Sequence, residues 1–159
     1  MRIITLNANG IRSAARKGFF DWLPAQDADV VCLQETKVTD ADFPVAALRE
    51  AGYATAFAGQ KSYNGVAILA KTEPAEVACG FRDGADDGQA RLIAATVAGV
   101  RVICAYVPNG QAVGTEKYAY KLEWLERLRR MLELEADAAK PLALVGDFNV
   151  APTDADVHD

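Results

Sequence analysis

Asn7, Glu35, Tyr106, Asp147 and Asn149 each carry a polar oxygen and stand at or just beyond the end of a short apolar run. Ile3-Ile4-Thr5-Leu6 leads into Asn7, and Val30-Val31-Cys32-Leu33-Gln34 into Glu35. Ile103-Cys104-Ala105 leads into Tyr106, and Leu142-Ala143-Leu144-Val145-Gly146 into Asp147, with Asn149 two residues on. Such runs, bounded by turn residues, read as strands. In α/β sheets ligands bind beyond the carboxyl ends of strands, where a rigid sheet aims several loops into one crevice. Carboxylates and amides gathered there are hard oxygen donors, suited to Mg²⁺ or Mn²⁺ and not to zinc. One or two carboxylates, water and a substrate phosphate complete the usual magnesium shell, which points to phosphoester chemistry. Taken singly, Glu35 or Asn7 reads as a strand-end residue, Tyr106 as a half-buried aromatic and Asp147 as a turn cap. Their joint occurrence at four strand ends favours a site.

The elements that must position them follow from periodicity. Strands are expected over residues 2–6, 29–34, 53–58, 65–70, 91–98, 100–107 and 142–145, with the pair around Gly99 forming a hairpin. Helices are expected over 13–25, 40–50 and 115–137. The last has Thr115 as its cap and Tyr118, Leu122, Leu125, Leu128 and Leu132 as a core-facing stripe. The order strand, helix, strand, helix, several strands, helix, strand describes a layered α/β domain with a mixed sheet. Residues 82–89 hold three acidic residues and two glycines but no closing glutamate, so they read as a solvated turn and not a calcium loop.

The bulk properties bound the class. The 159 residues are 51% hydrophobic and 25% charged, enough for one packed domain. No apolar run approaches the ~20 residues of a membrane span, and the N-terminus has no signal-peptide core. Three dispersed cysteines and one histidine build no zinc site, and Cys32 and Cys104 read as reduced core residues of a cytoplasmic protein. The net charge of −5 weighs against purely electrostatic binding of nucleic acid, although a metal ion and a local basic patch offset it.

Five segments carry a resemblance: Asn7-Ala8-Asn9-Gly10-Ile11-Arg12, Leu33-Gln34-Glu35-Thr36-Lys37, Tyr63-Asn64-Gly65-Val66-Ala67, Tyr106-Val107-Pro108-Asn109-Gly110 and Gly146-Asp147-Phe148-Asn149-Val150-Ala151-Pro152. In this order they resemble the exonuclease III family of abasic-site endonucleases, within the endonuclease/exonuclease/phosphatase superfamily. The resemblance implies the first half of a four-layer α/β sandwich with mixed, largely antiparallel sheet. It implies Mg²⁺, or Mn²⁺ in its place, held by Glu35 with Asn7 beside it and Asn9 outside. Asp147 would align or deprotonate the attacking water, Asn149 would orient Asp147 and the phosphate, and Tyr106 and Asn109 would contact the scissile phosphate. Arg12 and Lys17 would hold the DNA backbone, and Tyr63 would lie on a loop near a groove. The implied substrate is double-stranded DNA with abasic or 3′-end damage, cleaved as endonuclease with 3′-to-5′ exonuclease activity beside it. The complete enzyme would be a monomer with no membrane contact.

Family members continue into a second half that provides a further aspartate and a Ser-Asp-His segment. His158 follows the Gly-Asp-Phe-Asn motif too closely to match that histidine and is assigned to a loop. Residues 1–159 are therefore expected to be an incomplete single domain with an exposed apolar sheet face or edge, nearly inactive alone. Two other readings stay open: a phosphatase or sphingomyelinase-like hydrolase, and an inactive binding fragment. Arg12, Lys17 and Lys37 beside the site favour DNA over a lipid head group.

Overall fold

The structure, a computed structural model, describes residues 1–85, 88–137 and 140–156. His158, and Asp86 and Asp87 of the acidic turn, lie outside these. Two four-stranded sheets organise the chain. In the first, β1 (Ile3–Asn7), β2 (Val30–Gln34), β3 (Ala54–Ala58) and β4 (Val66–Ala70) lie in the order β1-β2-β4-β3. In the second, β5 (Ala75–Cys79), β6 (Leu92–Val97), β7 (Val100–Tyr106) and β8 (Leu142–Asp147) lie in sequence order. Each sheet holds one parallel pair, β1 with β2 and β7 with β8, and is otherwise antiparallel.

Parallel neighbours need a crossover. The first runs through α1 (Ile11–Arg16) and α2 (Phe19–Ala25), the second through α4 (Glu116–Glu135). The single helix expected over 13–25 is two, because Gly18 turns left-handed at φ 87° between them. The helix expected over 40–50 is also divided. Pro44 forces Phe43 to extended backbone (φ −70°, ψ 132°), which leaves a 3₁₀ turn at Asp40–Asp42 and α3 at Val45–Glu50. Thr115 caps α4, accepting from the Tyr118 N–H at 3.2 Å. Of the stripe expected on α4, Leu125, Leu128 and Leu132 pack on the second sheet, but the buried face is shifted to centre on Lys121, Trp124, Leu128 and Met131, and Leu122 is 50% exposed. Ala98 and Gly99, at φ 46° and 81°, form the tight turn between β6 and β7, where positive φ at both positions matches strand twist. Strand β5 was not expected; it is an edge strand of which only Ala78 is buried.

Three apolar cores alternate with the sheets. One packs α1, α2 and α3 on the outer face of the first sheet, around Ile11, Phe19, Leu23, Leu48 and Leu69. The second fills the space between the sheets, with Val30, Ile68, Ile93 and Val102. The third seats Trp124, Leu128 and Met131 of α4 on the second sheet. All four layers thus lie within these residues, and each sheet covers the other's inner face. The edge strands β1 and β8 are largely apolar and only partly buried. Cys32 and Cys104 are buried, unbridged thiols between the sheets. The loop carrying Asp83 is tied to α4 by the Arg127 ion pair at 2.7 Å. No helix among the described residues is long and apolar enough to cross a membrane.

Candidate active site

The two parallel pairs end at the same place. Register pairs Asn7 with Gln34 at the end of β1 and β2, and Tyr106 with Asp147 at the end of β7 and β8. Gly146 permits the second pairing, since an added Cβ would sit 1.9 Å from the Ala105 carbonyl oxygen. Each sheet therefore delivers one carboxylate to a shared rim.

Asn7 joins them. Its Nδ2 donates to Glu35 Oε1 and to Asp147 Oδ2, each at 2.8 Å, while its carbonyl oxygen accepts from the Asn9 N–H at 3.0 Å. Tyr106 donates its hydroxyl to the same Glu35 Oε1 at 2.9 Å. Lys37 Nζ takes the other oxygen, Oε2, at 2.8 Å, and also reaches Asn9 Oδ1 at 2.5 Å. The Asn149 backbone N–H donates to Asp147 Oδ1 at 3.0 Å, and its side-chain amide donates to the Val107 carbonyl at 2.8 Å. Of the predicted residues, Asn7, Glu35, Tyr106, Asp147 and Asn149 form one bonded network.

The electrostatics follow from these contacts. Burial raises the Glu35 carboxyl, but hydrogen bonds from Asn7, Lys37 and Tyr106 and the Lys37 charge outweigh it and leave the group below its ordinary 4.5. Burial, then the hydrogen bond to anionic Glu35 and its charge, push the Tyr106 hydroxyl up to about 12, against the opposing pull of Arg91. Tyr106 is a fixed proton donor at neutral pH.

The backbone here is strained. Asn9, Glu35, Lys37 and Asn149 all have φ between 43° and 55°. The turn around Glu35 is clamped by Thr36 N–H to Gly65 O at 3.1 Å, Lys37 N–H to Asn64 O at 3.0 Å and Gly10 N–H to Glu35 O at 2.7 Å. Neighbouring motif residues thus fix the backbone of Glu35.

The substrate-contact candidates stand further out. Arg12 is ion-paired to Asp42 at 3.0 Å on the surface. Lys17 is exposed at the end of α1, and Tyr63 is 72% exposed on the loop before β4. Asn109 is exposed and accepts from the Gln111 N–H at 2.9 Å; it lines a cleft of about 440 Å³ with Arg91, Tyr106 and Lys117. A larger hollow of about 820 Å³, lined by Glu76, Arg101 and Glu135, lies among residues that share nothing with the carboxylate rim. Size does not locate the chemistry.

Three contributors go beyond the site residues read from the sequence. Lys37, expected only as a basic residue beside the site, sits inside the network. Arg91 stacks over the Tyr106 ring at 4.6 Å. Lys121, buried on α4, donates to the Asn149 carbonyl at 2.5 Å. Lys37 is visible as part of Glu-Thr-Lys; Lys121 has only its place in a helix, among charges expected to lie off the apolar stripe.

A model of the Endonuclease/Exonuclease/phosphatase family matches residues 4–159. The chain belongs to this family. It is 36% identical over 158 residues to an exodeoxyribonuclease of Bacillus subtilis, a match that spans 99% of this chain and 62% of that protein. Among solved structures it matches an AP endonuclease from Archaeoglobus fulgidus with TM-score 0.92 and 43% identity. It also matches the 3′ phosphatase NExo from Neisseria bound to product DNA hairpin, with TM-score 0.89 and 41% identity. Both structural matches cover 100% of this chain and 62% of the matched chain. The chain thus spans about three fifths of the length of these relatives. The branch and the fold read from the motifs agree with these matches.

Proposed function

We propose that this chain carries the metal-binding and water-activating part of a nuclease that hydrolyses phosphodiesters of damaged double-stranded DNA. The observation that carries the reading is the Asn7 amide between Glu35 and Asp147, which brings carboxylates from two sheets to one rim. Among the described residues no three acids, cysteines or histidines cluster. Two carboxylates with amide oxygens nearby fit Mg²⁺, or Mn²⁺, which keep waters and share a substrate phosphate. Glu35 would be the principal ligand, with Asn7 offering Oδ1. When bound, the ion supplies Lewis-acid stabilisation of phosphate charge.

The chain's own residues supply the rest. Asp147 has one lone pair fixed by Asn7 and one by Asn149, so its orientation is set before substrate arrives. It accepts the proton of the attacking water. Tyr106 keeps its proton and offers it to Glu35 or to a phosphate oxygen. Asn109, from the adjoining cleft, contacts the phosphate. Arg12 and Lys17 take backbone phosphates, Arg12 by exchanging its Asp42 partner, and exposed Tyr63 reaches toward a groove. The abasic site is the favoured lesion, with 3′-end damage as a second substrate.

Mg²⁺-dependent cleavage of an abasic duplex, an undamaged duplex and sphingomyelin tests the reading, measured on a full-length protein that contains this chain, with Glu35→Gln and Asp147→Asn as controls and the 159 residues alone expected to be nearly inactive. Cleavage confined to the abasic duplex and lost in both variants is expected. Preference for sphingomyelin would establish the phosphoesterase alternative; metal-dependent binding without cleavage would establish a binding module.

A further inference from the structure

The two oxygens of Glu35 are used differently. Oε1 is taken by two neutral donors, the Asn7 amide and the Tyr106 hydroxyl. Oε2 is the oxygen left for a cation, and a cation is on it: the Lys37 ammonium, at 2.8 Å. The same ammonium is 2.5 Å from Asn9 Oδ1, so it sits between an anionic and a neutral oxygen. This is the donor environment a hard metal ion seeks. Lys37 is 31% exposed and Glu35 19%, so the pair is at the mouth of the site.

Resting on the reading of Glu35 as metal ligand, we propose that Lys37 is a resident counter-cation that competes with the metal for Glu35 Oε2 and swings away when the metal enters. A lysine suits this task. Its ammonium is a point charge on a flexible four-carbon stem, and it leaves an oxygen without breaking a bidentate fork as arginine must. Its backbone is held in place by the bond from its N–H to Asn64 O, so only the stem moves. Without metal, Lys37 neutralises one of two carboxylates that share the Asn7 amide, which lowers their mutual repulsion. With metal, repulsion between the two cations drives the ammonium outward. It then stands at the rim, available to a phosphate. Lys37 is a positioning residue that couples metal entry to a newly available positive charge.

The test titrates Mn²⁺ into the 159-residue chain by calorimetry, with Lys37→Met, Lys37→Arg and Glu35→Gln alongside. Lys37→Met should bind Mn²⁺ roughly tenfold tighter, the scale of a half-exposed charge-assisted hydrogen bond. Lys37→Arg, which keeps the charge, should bind no tighter than the parent. In the unmodified chain, isotopic reductive methylation of Lys37 read by mass spectrometry should speed up when Mn²⁺ is added, relative to exposed Lys17. Loss of binding in Glu35→Gln with no gain in Lys37→Met overturns the role of Lys37 and leaves the metal assignment standing. Unchanged binding in Glu35→Gln removes the metal assignment and this inference with it. Tighter binding by Lys37→Met with unaltered methylation overturns the displacement, because charge alone then accounts for the gain.

Discussion

Asp147 is where geometry and chemistry can be separated by one atom. Asparagine in its place keeps a carbonyl oxygen for the Asn7 amide or for the Asn149 N–H. It cannot take a proton. If Asp147 is the general base proposed above, Asp147→Asn in a full-length protein that contains this chain should leave the fold and KM for an abasic duplex unchanged and lower kcat by about 10²–10⁴, the range of a positioned general base. A parallel rise in KM would show that Asp147 binds and does not activate. The residues of this network are legible because each stands at or just beyond the end of an apolar run, and the runs are strands whose ends coincide. What was not legible was who bonds to whom. Nothing in the spacing says that Asn7 serves both acids, or that the buried Lys121 reaches the Asn149 carbonyl. Both contacts are made across elements far apart in sequence.

At the scale of elements, the clamp around Glu35 depends on a glycine. Gly65 has φ 87°, and an added Cβ would fall 2.1 Å from Thr36 Oγ1, itself buried without a partner among the described residues. Gly65→Ala should cost about 1–3 kcal/mol through strain and crowding, and should loosen Glu35 as well as destabilise the fold. Denaturant melts and Mn²⁺ affinity measured together check this; a stable variant with intact affinity would show that the turn yields without consequence. The Asp83–Arg127 pair ties a loop to α4. The hydrogen bond from Arg127 holds Asp83 down from 3.8 to about 2, despite some desolvation. A depressed carboxyl adds stability that is present above 3.8 and is lost as pH falls toward 2. Asp83→Asn should accordingly flatten the acid dependence of stability in that window, and a parallel pH profile would assign the acid sensitivity elsewhere. Strand runs were readable because they are either fully apolar or end in turns. Helix limits were misread where Gly18 and Pro44 cut continuous periodicity, and β5 was missed because a solvated edge has no alternation to read.

The whole molecule is two sheets sharing one core, with helices outside and both carboxylates carried to the same rim. With a net charge of −5, the DNA binding proposed above would rest on a few basic side chains. Arg12 is the sharpest case, since in this structure it is held by Asp42, with the two side chains 65% and 50% exposed. Such a pair is weak and breaks readily for a phosphate. If Arg12 and Lys17 each neutralise one phosphate, replacing both with alanine should reduce the slope of log affinity against log salt by about 1.8. Asp42→Asn should do the reverse in affinity: it frees Arg12 and removes a negative charge, so binding to a short abasic duplex should tighten at low salt. The gain should shrink as salt rises, because the Debye length falls from roughly 30 Å at about 0.01 M to roughly 10 Å at about 0.1 M. The gain should also vanish when Arg12 is already alanine, which distinguishes release of Arg12 from a general change in charge. Additive effects in the Arg12→Ala, Asp42→Asn pair would mean that Asp42 acts only through the field of the molecule, and an unchanged salt slope would make Arg12 and Lys17 ordinary surface charges.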